Sequence, residues 1–329
     1  MLHHLFIKFT AVFFMLSFLN LAIAQECSNV DLREKFPDQV RDQAKISWCY
    51  AFTSADQLKF HEKSAQTFSA PHVALEYNQT WPGLTVRNMV RIIDIFRKKD
   101  DLKEHQTGFI KTALKAAFHK GICNGDDVPD NLVKKINLWR NETSLVPLRS
   151  AITDINNHIK NRLKRDSIED VGYYYSWGNL SAKEFEQIVK KQKIGKITIN
   201  LMRKACKNNT LTIKKNKYKV IQWPRYFNTI GAIDSQLDRG NMPAIDYNAN
   251  FLTTTKKNGW LNIAGMHTSS IIGRRFNPDN QKCEYLIRNS WGTSCERYRP
   301  QFTCEAGNIW VDQNSLKKSL ILVTYLQKK

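Results

Sequence analysis

Apolar residues recur every three or four positions in two stretches of the first 120 residues, which is the spacing of one helix face. The stretch 51–58 shows this spacing directly after Cys49, so the sequence predicts a helix with Cys49 at or just inside its N-terminus. The second predicted helix covers about 108–120, and Gly121 follows it as a C-cap residue.

Residues 131–225 have a helix and strand pattern of their own. Apolar residues form a stripe within 152–163, and Ser181 and Glu184 form a capping box that opens another predicted helix. Alternation over 211–223, around a Lys-Asn-Lys turn, predicts a β-hairpin. The sequence therefore predicts that this stretch is folded rather than disordered.

From Ile230 onward the pattern changes to short β-rich segments separated by turn residues. Asn258 and Gly259 mark a tight turn in this part of the chain. The predicted strands cover 243–247, 266–272, 284–288 and 308–311. Helices first and strands later predict an α+β fold with two segregated lobes.

The first 24 residues are predicted to be a signal peptide. An apolar run over 9–21 follows Lys8, and the small residues ending at Ala24 form a cleavage site. The alternative is a membrane anchor, but the run is shorter than the roughly 20 residues that a bilayer span needs. We therefore expect cleavage near Ala24 and export of residues 25–329 as a secreted or periplasmic protein.

The cysteine count agrees with an oxidising compartment. Seven cysteines follow the predicted cleavage site, and an odd number in an exported protein indicates one free thiol. If that thiol is Cys49, six cysteines remain for three disulfides, whose connectivity the count leaves undetermined. Cys295 and Cys304 flank one short loop and are predicted to bridge it.

Positive charge is concentrated in the middle of the chain. The whole sequence has a formal net charge of +20, and residues 131–225 contain 21 Lys or Arg against 7 Asp or Glu. Two interpretations of this block stay open. It either binds an anionic surface or polymer through its electrostatic field, or it is a solvated basic face without a partner. No specific nucleic acid is predicted as a partner.

Candidate chemistry begins with a glutamine six residues before a cysteine, Gln43 and Cys49. A thiol at a helix N-terminus is expected to have a lowered pKa, because the helix dipole stabilises a thiolate there. A glutamine amide and the backbone N–H of Cys49 can both donate to a developing oxyanion. This pair of residues indicates a cysteine nucleophile and acyl-transfer chemistry.

Two further residues supply a base and its partner. His267 lies at the start of one predicted strand, and Asn289 lies at the end of the next. If these strands are adjacent and antiparallel, the histidine can take the thiol proton and the asparagine carbonyl can hold the imidazole in its useful tautomer. The indole of Trp291 can shield the bond between them from water.

Gln43, Cys49, His267 and the Asn289-Ser-Trp-Gly segment together resemble the papain-like cysteine peptidases. The resemblance implies a two-lobed fold with the active site between the lobes. It also implies catalytic roles for Cys49, His267 and Asn289, and an oxyanion role for Gln43. Gly108 and Phe109 occupy the place of the family's glycine-rich, substrate-binding segment. No metal or other cofactor is implied.

The resemblance divides the expected peptidase domain into three parts. The helical lobe covers about 31–130, the basic insertion about 131–225 and the β-rich lobe about 226–329. The chain departs from the family in its Ile-Ser-Trp segment before Cys49, and in having no recognisable propeptide before residue 42. The leading expectation is an exported peptidase that cleaves peptide or protein substrates. The alternative is a papain-fold binding protein that has a silent cleft and attaches to acidic surfaces through the basic insertion.

Overall fold

The computed structural model describes residues 27–44, 47–80, 108–130, 206, 210–214, 216–253 and 265–329. These residues form a helical half and a large antiparallel sheet, so the predicted α+β fold class is confirmed. The helices are α1 (Cys49–Glu62), α2 (Ala70–Asn78), α3 (Ile110–Lys120), α4 (Thr229–Asp238) and α5 (Gln313–Ser319). The strands are β1 (Val30–Asp31), β2 (Ile122–Cys123), β3 (Thr210–Leu211), β4 (Tyr218–Pro224), β5 (Ala244–Asn248), β6 (Met266–Asn277), β7 (Lys282–Arg288), β8 (Thr303–Glu305), β9 (Asn308–Asp312) and β10 (Leu320–Lys328).

Helix α1 is the central helix of the helical half. Its first ten residues are all buried, so it has no polar face along most of its length. It ends at Lys63, which adopts the left-handed conformation that often terminates helices. The start of α1 at Cys49 and the end of α3 before Gly121 both confirm the sequence prediction.

The sequence prediction missed three helices. Helix α2 begins after Ser69, whose side chain accepts a hydrogen bond from the backbone N–H of His72, and Pro71 lies in its first turn. Helix α4 lies in the part of the chain that was expected to contain only strands, and Asn228 caps it. Helix α5 follows the cap residue Asp312.

The main sheet runs in the order β4, β10, β5, β6, β7, β9, β8, and β1 pairs with β6. The four predicted strands are confirmed as β5, β6, β7 and β9. The predicted hairpin over 211–223 is wrong, because β3 pairs with β2 whereas β4 pairs with β10. Strand β4 was assigned to the basic insertion, but it forms one edge of the main sheet.

Three disulfides join distant parts of the chain, and Cys49 is the free cysteine. The predicted bridge between Cys295 and Cys304 is confirmed. The other two join Cys27 to Cys283 and Cys123 to Cys206. Such bridges are typical of proteins that fold in an oxidising compartment.

Two clusters of buried apolar side chains lie on the two faces of the sheet. One cluster packs around α1, α2 and α3, and the other packs between the sheet and helices α4 and α5. In the described part of the chain, no helix has the length and apolar character needed to cross a bilayer. The predicted signal peptide, the helices expected in 152–163 and after Ser181, and the turn at Asn258 lie outside the described residues.

Candidate active site

Hydrogen bonds dock helix α1 directly onto strand β6. The Thr53 hydroxyl donates to the backbone oxygen of Thr268 at 3.0 Å, and Gln57 Nε2 donates to the hydroxyl of Ser270 at 3.2 Å. Thr53 lies one helical turn after Cys49. The start of the helix therefore lies beside the start of the strand.

A buried carboxylate connects α1 to two further segments of the site. Asp56 of α1 accepts from Arg288 Nε at 3.0 Å and forms an ion pair with Arg41 at 3.3 Å. Arg288 directly precedes Asn289, and Arg41 lies two residues before Gln43. One carboxylate thus ties the segments that carry Gln43 and Asn289 to the helix that begins at Cys49.

The thiol of Cys49 is almost inaccessible, with 6% of the residue exposed. Burial raises the pKa of this thiol to about 11, although the backbone and hydroxyl of Thr268 act in the opposite direction. The expectation of a lowered thiol pKa is therefore wrong for this structure. A helix N-terminus stabilises a charge by about 0.3–1 kcal/mol, less than one pKa unit. Full burial shifts a pKa by up to about 3–5 units in the other direction.

The imidazole of His267 is held by an amide oxygen. His267 is the second residue of β6, and its Nε2 lies 2.6 Å from Asn289 Oδ1. Because an amide oxygen can only accept, the neutral ring carries its proton on Nε2 and leaves Nδ1 as the basic nitrogen. Burial lowers the pKa of His267 to about 4, so the ring is neutral at pH 7.

Both ends of the Asn289 amide are fixed. Its Oδ1 also accepts from the backbone N–H of Ser290 at 2.7 Å, and its Nδ2 donates to the Tyr298 hydroxyl at 3.0 Å. The ring of Trp291 covers His267 at 4.8 Å between centroids and stacks on Tyr298 at 5.8 Å. The orientation of the imidazole is therefore set by several independent contacts.

Gln43 lies against the residue that follows Asn289. Its backbone N–H donates to the backbone oxygen of Ser290 at 2.9 Å, and the Ser290 hydroxyl donates to Gln43 Oε1 at 2.5 Å. The carbonyl end of the Gln43 amide thus faces Ser290, which leaves the NH₂ group at its other end. Residues 45–46, which connect Gln43 towards Cys49, lie outside the described residues.

Gly108 and Phe109 lie at the start of α3, next to the helix of Cys49. A Cβ atom at Gly108 would lie 2.7 Å from ring atoms of Tyr50, so only glycine fits without a shift there. Phe109 is 47% exposed, and its backbone N–H donates to the Tyr77 hydroxyl at 3.4 Å. The structure places both residues near α1, and their predicted role in substrate binding stays a prediction.

The sequence prediction missed four side chains of this site. Ser290 and Tyr298 hold Gln43 and Asn289, and Thr268 contacts the thiol. The fourth is Asp246 in β5, which accepts from the Thr268 hydroxyl at 2.5 Å. The signal for Asp246 was present but unused, because aspartate is depleted in buried strands.

One cluster has the residue types of a metal site. The ligand atoms of His72, Cys123 and Cys206 lie within 4.8 Å of one another. The two sulfur atoms form a disulfide, however, and a metal binds the thiolate form. The cluster therefore belongs to the disulfide framework in this oxidised structure.

No family model and no curated protein matches this chain by sequence. Solved structures do match. PepW from Lactobacillus rhamnosis HN001 aligns with a TM-score of 0.50 at 11% identity, over 91% of this chain and 81% of that one.

Two plant proteases also align. The Carica candamarcensis protease CMS1MS2, solved with E-64, has a TM-score of 0.45 at 13% identity, over 92% of this chain and 98% of that one. The proform of the ragweed pollen cysteine protease Amb a 11 has a TM-score of 0.45 at 12% identity, over 92% of this chain. This chain covers 66% of the ragweed chain.

Proposed function

This chain has a papain-like fold, and at the identities found the likeness concerns the fold alone. We propose that it is an exported cysteine peptidase that hydrolyses peptide bonds. In this proposal Cys49 attacks the scissile carbonyl carbon, and His267 Nδ1 takes the thiol proton and later delivers it to the leaving amine. A water molecule then hydrolyses the thioester and restores the free thiol.

Two residues assist these steps. Asn289 keeps the imidazole in the tautomer that has its lone pair on Nδ1, and Trp291 excludes water from their hydrogen bond. The amide of Gln43 and the backbone N–H of Cys49 stabilise the oxyanion. The observation that carries the proposal is the 2.6 Å contact between His267 Nε2 and Asn289 Oδ1. It gives a buried imidazole the orientation and tautomer of a general base.

Both reacting groups are uncharged in the resting state. The pKa of the thiol is raised to about 11 and that of the imidazole is lowered to about 4, both by burial. Transfer of the proton from Cys49 to His267 therefore accompanies the attack on substrate rather than preceding it. Thiolate-trapping reagents are then expected to label the free protein slowly at pH 7.

A fluorogenic peptide library tests the proposal. Wild-type protein is expected to cleave at least one class of peptide, and Cys49→Ala is expected to reduce the rate by about 10³-fold or more. Equal unfolding midpoints show that the variant is folded. Turnover that survives in Cys49→Ala, or no turnover by a folded wild type, contradicts the peptidase proposal.

The second candidate is a papain-fold binding protein with a silent cleft. The raised thiol pKa favours it, because a buried neutral thiol is a poor nucleophile. A peptide epoxide separates the candidates, since its reaction with Cys49 requires a correctly placed imidazole. Stoichiometric labelling that His267→Gln abolishes supports the peptidase. A folded wild type that stays unlabelled, yet binds anionic polymers with strong salt dependence, supports the binding protein.

A further inference from the structure

Asp246 is a buried carboxyl group with an unused acceptor atom. The residue is 7% exposed, and its Oδ1 accepts the hydroxyl proton of Thr268. Its Oδ2 is inaccessible to solvent and has no hydrogen-bond partner. A buried carboxylate that lacks a cationic partner is costly, so its presence in a strand calls for an explanation.

This carboxyl group lies beside the thiol of Cys49. Thr268, which bonds to Asp246, contacts the thiol through its backbone and its hydroxyl, and the charge of Asp246 acts on Cys49. In the β5–β6 pair, Asp246 is opposite Thr268, and Asn248 is opposite Met266. Residues two apart on a strand share a face, so these two pairs are neighbours on the same face of the sheet.

The outer of these two pairs reaches solvent. Met266 is 40% exposed, whereas Thr268 and Asp246 are buried. Two residues along a strand span roughly 7 Å, which is also about the length of an extended lysine side chain. A substrate side chain that enters beside Met266 can therefore bring an ammonium or guanidinium group to the carboxyl of Asp246.

We propose that Asp246 makes the candidate active site select substrates that place a lysine or arginine side chain beside the reacting thiol. This inference rests on the proposed peptidase function and names its substrate class. The cation would pair with Oδ2, while Oδ1 keeps its bond to Thr268. An aliphatic side chain of the same length would leave that acceptor buried and unpaired.

The first test measures binding without catalysis. The Cys49→Ala protein is titrated calorimetrically with one neutral peptide in which each position carries lysine or norleucine in turn. At one position, lysine is expected to bind about tenfold or more tightly than norleucine, because hydrogen bonds to charged groups are the strong ones. Asp246→Asn in the same background should remove this preference, whereas Asp279→Asn, which changes an exposed carboxyl in a turn, should keep it.

The second test measures the ratio of kcat/KM for the lysine and norleucine peptides with wild-type Cys49. Cleavage without preference for lysine at any position overturns this inference and leaves the peptidase proposal standing. A lysine preference in binding without any cleavage supports the inference and contradicts the peptidase proposal. Because the wild-type comparison needs no variant at Asp246, the inference stays testable even if Asp246→Asn does not fold.

Discussion

On the imidazole side of the candidate active site, both ends of the Asn289 amide have partners and Trp291 covers the ring of His267. On the thiol side, Cys49 is buried, has no cationic partner, and lies within the field of the Asp246 carboxyl. The two sides are carried by different parts of the fold. The strand side fixes the orientation of a base, whereas the helix side keeps a thiol protonated.

The difference follows from the distances over which each contribution acts. Hydrogen bonds between neighbouring strands fix side-chain geometry locally, and Tyr298 and Ser290 add bonds from the following loop. A helix dipole contributes less than one pKa unit, so it cannot offset the burial of Cys49. We infer that the base is ready in the free protein, whereas the thiol is activated only when substrate is bound.

The largest expected effect concerns the base. We predict that His267→Gln lowers kcat/KM for a cleaved peptide by about 10²–10⁴-fold, because glutamine can fill the space but cannot accept the thiol proton. Initial rates with a fluorogenic peptide measure the loss. His119→Gln, which changes an exposed histidine near the end of α3, is the matched control and should keep the wild-type rate. Equal losses in the two variants would contradict the assignment.

The second prediction contrasts the pH dependence of stability on the two sides. The pKa of His267 is lowered from 6.5 to about 4, so its stabilising contribution is complete above pH 6.5 and is lost as the pH falls towards 4. Burial raises the pKa of Asp246 from 3.8 to about 6. Its contribution is therefore complete below pH 3.8 and is lost as the pH rises through 6.

Urea unfolding between pH 4 and 6.5 measures this contrast. The stability difference between wild type and His267→Gln should increase with pH by about 1–3 kcal/mol, and that between wild type and Asp246→Asn should decrease by a similar amount. Differences that change in the same direction would show that the two sides do not differ as described.

The parts of the molecule that the sequence predicts correctly are those with local signals. The apolar spacing after Cys49 and the cap at Gly121 are both read within one helix, and both helices are confirmed. Strand pairing has no such local signal. The predicted hairpin over 211–223 was wrong because β4 pairs with β10, about 100 residues later in the chain. Which strand becomes a neighbour depends on packing against the whole sheet.

The same limit applies to the site. The order and types of Gln43, Cys49, His267 and Asn289 are visible in the sequence, and the structure places His267 against Asn289. The thiol pKa could not be predicted, because burial depends on how α1 packs on β6. Asp246 could not be assigned either, since its neighbour Thr268 comes from another strand.

The third prediction concerns the thiol side. We predict that Asp246→Asn speeds alkylation of Cys49 by iodoacetamide at pH 7 by about three- to tenfold. Removal of a nearby negative charge lowers the thiol pKa and raises the thiolate fraction. Stopped alkylation followed by mass spectrometry measures the rate, and Asp279→Asn is the control. A slower reaction than in the wild type would mean that the Asp246 carboxyl does not oppose ionisation of the thiol.

The smallest expected effect concerns Tyr298, which receives the Asn289 Nδ2 hydrogen bond and stacks on Trp291. Tyr298→Phe keeps the stacking but leaves a buried N–H group without its acceptor, so the free energy of unfolding should fall by about 1 kcal/mol. Because Oδ1 is still held by Ser290 and His267, kcat should fall only a few-fold while KM is unchanged.

Tyr226→Phe is the matched control for this change, since Tyr226 is 97% exposed and its hydroxyl should contribute nothing measurable. A loss confined to stability would make the Tyr298 hydroxyl purely structural. A fall in kcat at unchanged KM would show that the orientation of the imidazole depends on a residue two contacts away. A loss of 100-fold or more would mean that Asn289 is held mainly by Tyr298, so the imidazole side would be as easily disturbed as the thiol side.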